Sequence, residues 1–132
     1  MTLTEAGRYY LGAVCPSNIL ADKANKVLQT EPLDLAAARK ATAALRDGYR
    51  TTIEGLSDPA AKWPGSVKTD VATLADNMYV ELSSAANVAS QTTEANLISA
   101  WNAWESSPSA VAQKIRVKLN LPSDTSGSCP AK

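Results

Sequence analysis

A chain of 132 residues, 45% of them hydrophobic, fits one ordinary domain and can bury a core without a second one. Its 13 basic and 13 acidic residues cancel, which removes the overall field that would draw it onto nucleic acid or an anionic membrane. Phe is absent, Ala is abundant and β-branched residues are scattered, so helix is expected rather than strand.

Thr2 and Glu5 stand at the spacing of a capping box, which predicts a helix starting at about residue 2. Leu3, Gly7, Tyr10, Leu11 and Val14 then share a face until Pro16, which lacks a backbone donor and disfavours helical geometry at Cys15. A kink or an end is expected there. The stripe resumes through Leu20, Ala24, Val27 and Leu28 and stops at Thr30-Glu31-Pro32. Asp34 is the expected N-cap of the clearest helix, about 34–57, whose Leu35, Ala38, Thr42, Leu45, Tyr49, Ile53 and Leu56 recur at steps of three and four.

Two prolines and a glycine between Ser57 and Gly65 predict a loop, after which Pro64 or Ser66 can open a further helix. Val67, Val71, Leu74, Met78, Leu82, Ala85 and Ala89 mark its buried stripe to about residue 90. Thr92 or Thr93 caps a shorter piece holding Leu97, Ile98, Trp101 and Trp104, and Ser107-Pro108 is a cap followed by a first-turn proline. Ile115, Val117, Leu119 and Leu121 also alternate with polar residues as in a strand. No second alternating run exists to pair with it, so helix is expected from the stripe Val111, Ala112, Ile115 and Leu119. Residues 1–121 are thus expected to form an antiparallel all-α bundle of about four main helices, the first broken near Pro16 and the last near Ser107. Residues 122–132, rich in Pro, Ser and Gly, are a tail.

Cys129 lies in that polar tail, an unusual place for a structural free thiol. The ten residues after Leu119 reach about 33 Å when extended, enough to bring Cys129 back along the bundle to Cys15. A disulfide tying the tail back through Cys129 is expected, closing a loop worth on the order of 4–5 kcal/mol in the chain-entropy account. Two unpaired thiols in a reducing compartment are the alternative. Two Cys with no His supply only half a tetrahedral zinc shell, so no metal site is expected.

The segment Tyr10-Leu11 through Val14-Cys15-Pro16-Ser17-Asn18 resembles the start of uncharacterised exported or lipid-anchored helical domains of actinobacteria. The resemblance covers under a fifth of the chain. It implies a secreted or cell-envelope setting, and it implies no activity or catalytic residue; whether a signal or lipid anchor stands upstream of residue 2 is left open by the sequence. No apolar run approaches the roughly 20 residues of a membrane-spanning helix, so no transmembrane segment is expected.

Without His, the Ser-His and Cys-His nucleophile pairs are unavailable, and no phosphate loop or calcium loop is present. No catalytic residue, cofactor or enzymatic activity is expected. Paired carboxylates are the remaining route, and Asp70, Asp76, Glu81, Glu94 and Glu105 are expected to point outward. Between Lys68 and Lys114 every charged side chain is one of these acids, whereas the 34–57 helix carries Arg39, Lys40, Arg46 and Arg50. Pairing between the edges of these helices is expected, with an acidic face for a cation or a basic partner as the functional alternative.

Trp101 and Trp104 lie three apart on one helical face, and Trp63 stands in the loop before Pro64. They are the candidate ligand or partner contacts, set against a core-filling role in a Phe-free bundle; Trp63 is expected to be the partly exposed one. Two functions follow: a monomeric, non-catalytic binding or structural module for an envelope protein, or a small-ligand carrier with an aromatic-lined pocket between helices. A closed interior favours the first; a cleft of several hundred cubic ångströms beside Trp101 or Trp104 favours the second.

Overall fold

In a computed structural model of the chain, residues 1–106, 110–125 and 127–129 are described. Among them are five helices and no strand: α1 (Leu3–Gln29), α2 (Leu35–Leu56), α3 (Lys68–Ala89), α4 (Glu94–Asn102) and α5 (Ala110–Lys118). The packing is antiparallel. Local chemistry sets several of the boundaries. Thr2 Oγ1 accepts from the Glu5 backbone N–H at 3.1 Å while the Glu5 carboxylate accepts from the Thr2 N–H, closing the capping box. Asp34 caps α2 through the Ala37 N–H, and Thr93 caps α4 through the Asn96 N–H. The expected Ser107-Pro108 cap lies outside the described residues.

Two starts and stops follow a different route. α3 has no side-chain cap: the Val67 and Lys68 N–H groups donate instead to the Pro64 carbonyl, so the proline turn leads into the helix at Lys68. After α5, Asn120 takes the left-handed conformation (φ 57°) and the Leu121 N–H donates back to the Arg116 carbonyl at 2.8 Å. That is a Schellman ending with Asn where Gly is commoner. It turns Leu121 onto the Gly7 face of α1.

Pro16 does not end α1. A proline inside a helix removes one hydrogen bond and crowds the carbonyl four residues back, which here belongs to exposed Gly12. Neighbouring carbonyls are taken up by side chains: Thr52 Oγ1 of α2 donates to Ala13 O at 2.7 Å, and buried Ser17 Oγ donates to Val14 O at 2.9 Å. α1 thus runs through the proline in one piece, packed there against α2. Gly48 permits the close approach, since a Cβ there would sit 2.6 Å from a Leu20 methyl.

α2 lies centrally, packed on α1 and on α3, while α4 and α5 both pack on α3. The main core joins Tyr10 and Val14 of α1, Leu45, Tyr49, Ile53 and Leu56 of α2, Val71, Leu74 and Met78 of α3, and Ile115 of α5. A smaller cluster of Leu28, Ala38, Val88, Leu97 and Ala100 joins α4 to the other end. Residues 110–118, ambiguous in their alternation, are helix, and buried Ile115 fills the core. The tail returns along α1, where Cys15 and Cys129 form a disulfide with Cα atoms 5.5 Å apart.

The expected charge pairing between helix edges takes another form. Arg46 and Arg50 both pair with Asp47 of their own helix, at 2.9 and 3.5 Å; Asp47 and Arg50, three apart, are neighbours on one face of α2. An inter-helix ion pair joins Asp70 of α3 to Lys118 of α5, at 2.8 Å. Arg39 reaches α3 by donating to the Ala89 carbonyl at the helix C-terminus, where a cation is favoured.

Candidate functional site

All three tryptophans are half-buried, and they divide between two places. Trp63 packs edge-on against Tyr9 with ring centroids 5.3 Å apart, and its indole N–H donates to the Leu56 carbonyl at 3.3 Å. The Tyr9 hydroxyl donates to the Gly55 carbonyl, and the amino terminus donates to the Lys62 carbonyl. Trp63 thus fastens the α2–α3 loop to the start of α1. A wide surface hollow of about 530 Å³ beside it carries Asp58, Lys62, Lys68 and Asp76 on its rim.

Trp101 and Trp104 stand on a second hollow, a cleft of about 300 Å³ where α1, α2, α3 and the end of α4 meet. Ala21, Ala24 and Leu28 of α1 and Leu45 of α2 make its apolar walls. Asn25, Tyr49, Glu81 and Ser106 supply the polar groups. The Trp104 indole N–H donates to Glu81 Oε2 at 2.8 Å, which fixes both side chains across the gap between α3 and α4. A second cleft of about 240 Å³ continues on the far side of Tyr49 and Glu81, lined by Tyr10, Asn18, Met78, Arg116 and Thr125.

The expectation that the acids point outward fails at Glu81. Met78 and Ala85, three and four positions away on α3, are both buried, so helical geometry turns Glu81 inward with them. That register was visible in the sequence. Asp76, Glu94 and Glu105 are exposed as expected, and Asp70 is held by Lys118. Among the described lining residues of the Trp104 cleft, Glu81 is the one carboxylate, so no acid pair faces across it. The described residues also contain no cluster of three or more metal-ligating side chains.

Burial, with the charge and hydrogen bonding of neighbouring Glu81 adding to it, holds the Tyr49 phenol well above its ordinary value, so Tyr49 is a neutral hydroxyl on the cleft wall. Tyr10 is likewise pushed up by burial, with Arg116 opposing the shift. Sequence patterning gave no sign of Arg116. Its side chain is 1% exposed, its guanidinium sits 5.7 Å from the Tyr10 ring centroid, and it donates to Pro122 O and Ser128 Oγ of the tail. Its Nε has no acceptor among the described residues. Arg116 and the disulfide together hold the tail against α1 and α5.

Fold and site together define a small, disulfide-closed helical bundle with aromatic-lined, carboxylate-bearing clefts on either side of Tyr49 and Glu81. No protein-family model matches the sequence, and comparisons with curated proteins and with solved structures find no significant match.

Proposed function

We propose that this protein is a monomeric, non-catalytic small-ligand carrier whose binding site is the cleft of Trp101, Trp104, Tyr49 and Glu81. The observation that carries this is the cleft itself: about 300 Å³ of space beside two tryptophans, walled by Ala21, Ala24, Leu28 and Leu45 and furnished with the polar groups of Asn25, Tyr49, Glu81 and Ser106. A module working only through its outer surface has no need of such an opening in its core. The absence of His from the sequence and the single carboxylate of the cleft support a binding role over a catalytic one. The disulfide favours an oxidising, extracytoplasmic setting at the cell envelope or beyond it. The resemblance of the Cys15-Pro16 segment to exported or lipid-anchored actinobacterial domains leans the same way. No helix among the described residues is long and apolar enough to cross a membrane.

The test is a fragment screen read by the indole N–H resonances of the three tryptophans. Ligands of the cleft are expected to shift Trp101 and Trp104 and to leave Trp63 in place. Shifts confined to Trp63, or none from any fragment, would reject the cleft as the site.

A further inference from the structure

We infer that the tail is a redox-released strap: reduction of the Cys15–Cys129 bond frees the chain beyond Leu121, uncovers the Arg116 guanidinium and opens the cleft beside Tyr10, while the bundle stays folded. The strap acts on the cleft of Tyr10, Arg116 and Thr125 and requires no ligand beside Trp104. Leu121 ends the secured part of the chain. Its N–H donates to the Arg116 carbonyl at 2.8 Å, and its side chain packs beside Gly7. Beyond it Pro122, Ser123, Asp124, Thr125 and Gly127 are exposed, while Ser128 and Cys129 are half-buried. Little apolar surface is covered there, so the main force that docks a segment is nearly absent.

Apart from the disulfide, polar contacts hold the tail. Arg116 Nη1 donates to Pro122 O at 3.1 Å and to Ser128 Oγ at 2.9 Å, and Gln113 Nε2 donates to Ser123 O at 3.3 Å. Against them stands the burial of the guanidinium itself, 1% exposed and with its Nε unmet among the described residues. An unmet buried donor costs about as much as an ordinary hydrogen bond returns, and ordering the tail backbone costs more again. The covalent bond tips this balance, because it turns docking of the tail into an intramolecular event at high effective concentration. Once it is broken, the tail gains chain entropy and Arg116 gains water.

The bond is placed for exchange with a thiol. Cys15 is 5% exposed, whereas Cys129 is half-buried on the returning tail and is the end open to attack. A hollow of about 380 Å³ opens beside the bond, lined by Leu11, Pro16 and Ile19 around Cys15 and Ser128. A dithiol supplies the electrons. One of its thiolates attacks Cys129 Sγ to form a mixed disulfide, and Cys15 Sγ leaves as a thiolate that takes a proton from water. The second thiolate then attacks the reductant's own sulfur in that mixed disulfide. Cys129 leaves as a thiolate and is protonated, and the dithiol departs as its disulfide, two electrons having passed to the protein. Thr125 lines the cleft of Tyr10, Asn18 and Arg116, so its departure opens that cleft on the tail side.

The experiment compares the oxidised full chain with the same chain reduced by dithiothreitol, and with a variant carrying both Cys15→Ser and Cys129→Ser. Phenylglyoxal labelling reads the exposure of Arg116, with exposed Arg39 and Arg50 as controls, and amide hydrogen exchange reads the backbone. Reduction is expected to raise the Arg116 labelling rate about tenfold or more and to leave Arg39 and Arg50 unchanged. The Gly127 and Ser128 amides, which donate to Asp124, should lose protection, while the Leu121 amide and those of α1, α2 and α3 keep theirs. The double variant should show the same open state with no reductant present. Continued protection of Arg116 and the tail, in the reduced chain or in the variant, overturns the strap. So does loss of protection throughout α1, α2 and α3, which would make the bond a support of the whole bundle. A bond that dithiothreitol reduces only after the bundle is unfolded overturns the redox step.

Discussion

Trp63 and Trp104 are the same side chain put to opposite uses. Trp63 gives its N–H to a backbone carbonyl and its ring edge to Tyr9, so the loop, α1 and α2 close on one another. Trp104, which lies just past the end of α4 rather than on it as the sequence suggested, gives its N–H to the Glu81 carboxylate of α3 and leaves a cleft beside it. A bond to backbone secures the chain path; a bond to Glu81 fixes the chemistry of a surface. Removing each residue should therefore cost different things, stability at one and binding at the other.

The disulfide sets the scale for both, because it acts through the unfolded chain and touches neither tryptophan. Its ends are 114 residues apart. Cys129→Ser is expected to cost about 4–5 kcal/mol of unfolding free energy by chemical denaturation, with a change below about 1 kcal/mol refuting the strap. Trp63→Ala comes next, at about 3 kcal/mol, because the loop anchor, the Tyr9 contact and the Leu56 bond go together. Trp104→Phe keeps most of the ring and loses one charge-assisted hydrogen bond, at about 1–2 kcal/mol. Its larger consequence should be loss of binding by fragments that shift the Trp101 indole, and if Trp63→Ala and Trp104→Phe prove alike in both readouts the division of roles collapses.

The tyrosines of the same region give a pH test of the cleft's burial. Tyr49 and Tyr10 are both raised in the folded state above the ordinary phenol value of 10.0, burial being the main cause for each. Their neutral forms are favoured by folding, so the contribution is complete below about pH 10. Above it the unfolded chain loses these protons first and binds fewer than the native state, so stability falls as pH rises toward the folded values. Urea melts at pH 9 and 11 check the sign, and replacing Tyr49 with Phe should flatten the slope. The smallest effect is expected at the Lys118–Asp70 pair, part-exposed on both sides. Lys118→Met should change stability by about 0–1 kcal/mol, an effect that 1 M salt should mask.

Much of the helical framework was legible because its determinants are local. Capping at Thr2, Asp34 and Thr93 depends on residues within four positions, and the stripes of α2 and α3 follow from the 3.6-residue turn alone. The all-helical class and the Cys15–Cys129 link were likewise expected from composition, reach and the place of Cys129 in the tail. The candidate site was legible only in part. Trp101 and Trp104 stood out as aromatics, whereas Glu81 was grouped with the surface acids although its register with Met78 and Ala85 already placed it inside.

What tertiary structure alone decided is where separate helices meet. Beside Pro16, Thr52 from α2 reaches the Ala13 carbonyl of α1, a partner 39 residues away that no local rule names. Arg116 reads in the sequence as one of several basic residues near the end of the chain. The returning tail and Tyr10 make it a buried guanidinium. Glu81 and Trp104 are 23 residues apart and become a site only when α4 folds back on α3. Amino-acid order determines which face of each helix is apolar, since that depends on spacing; which polar groups share a cleft depends on how those faces pack, and long-range packing is what the one-dimensional pattern does not contain.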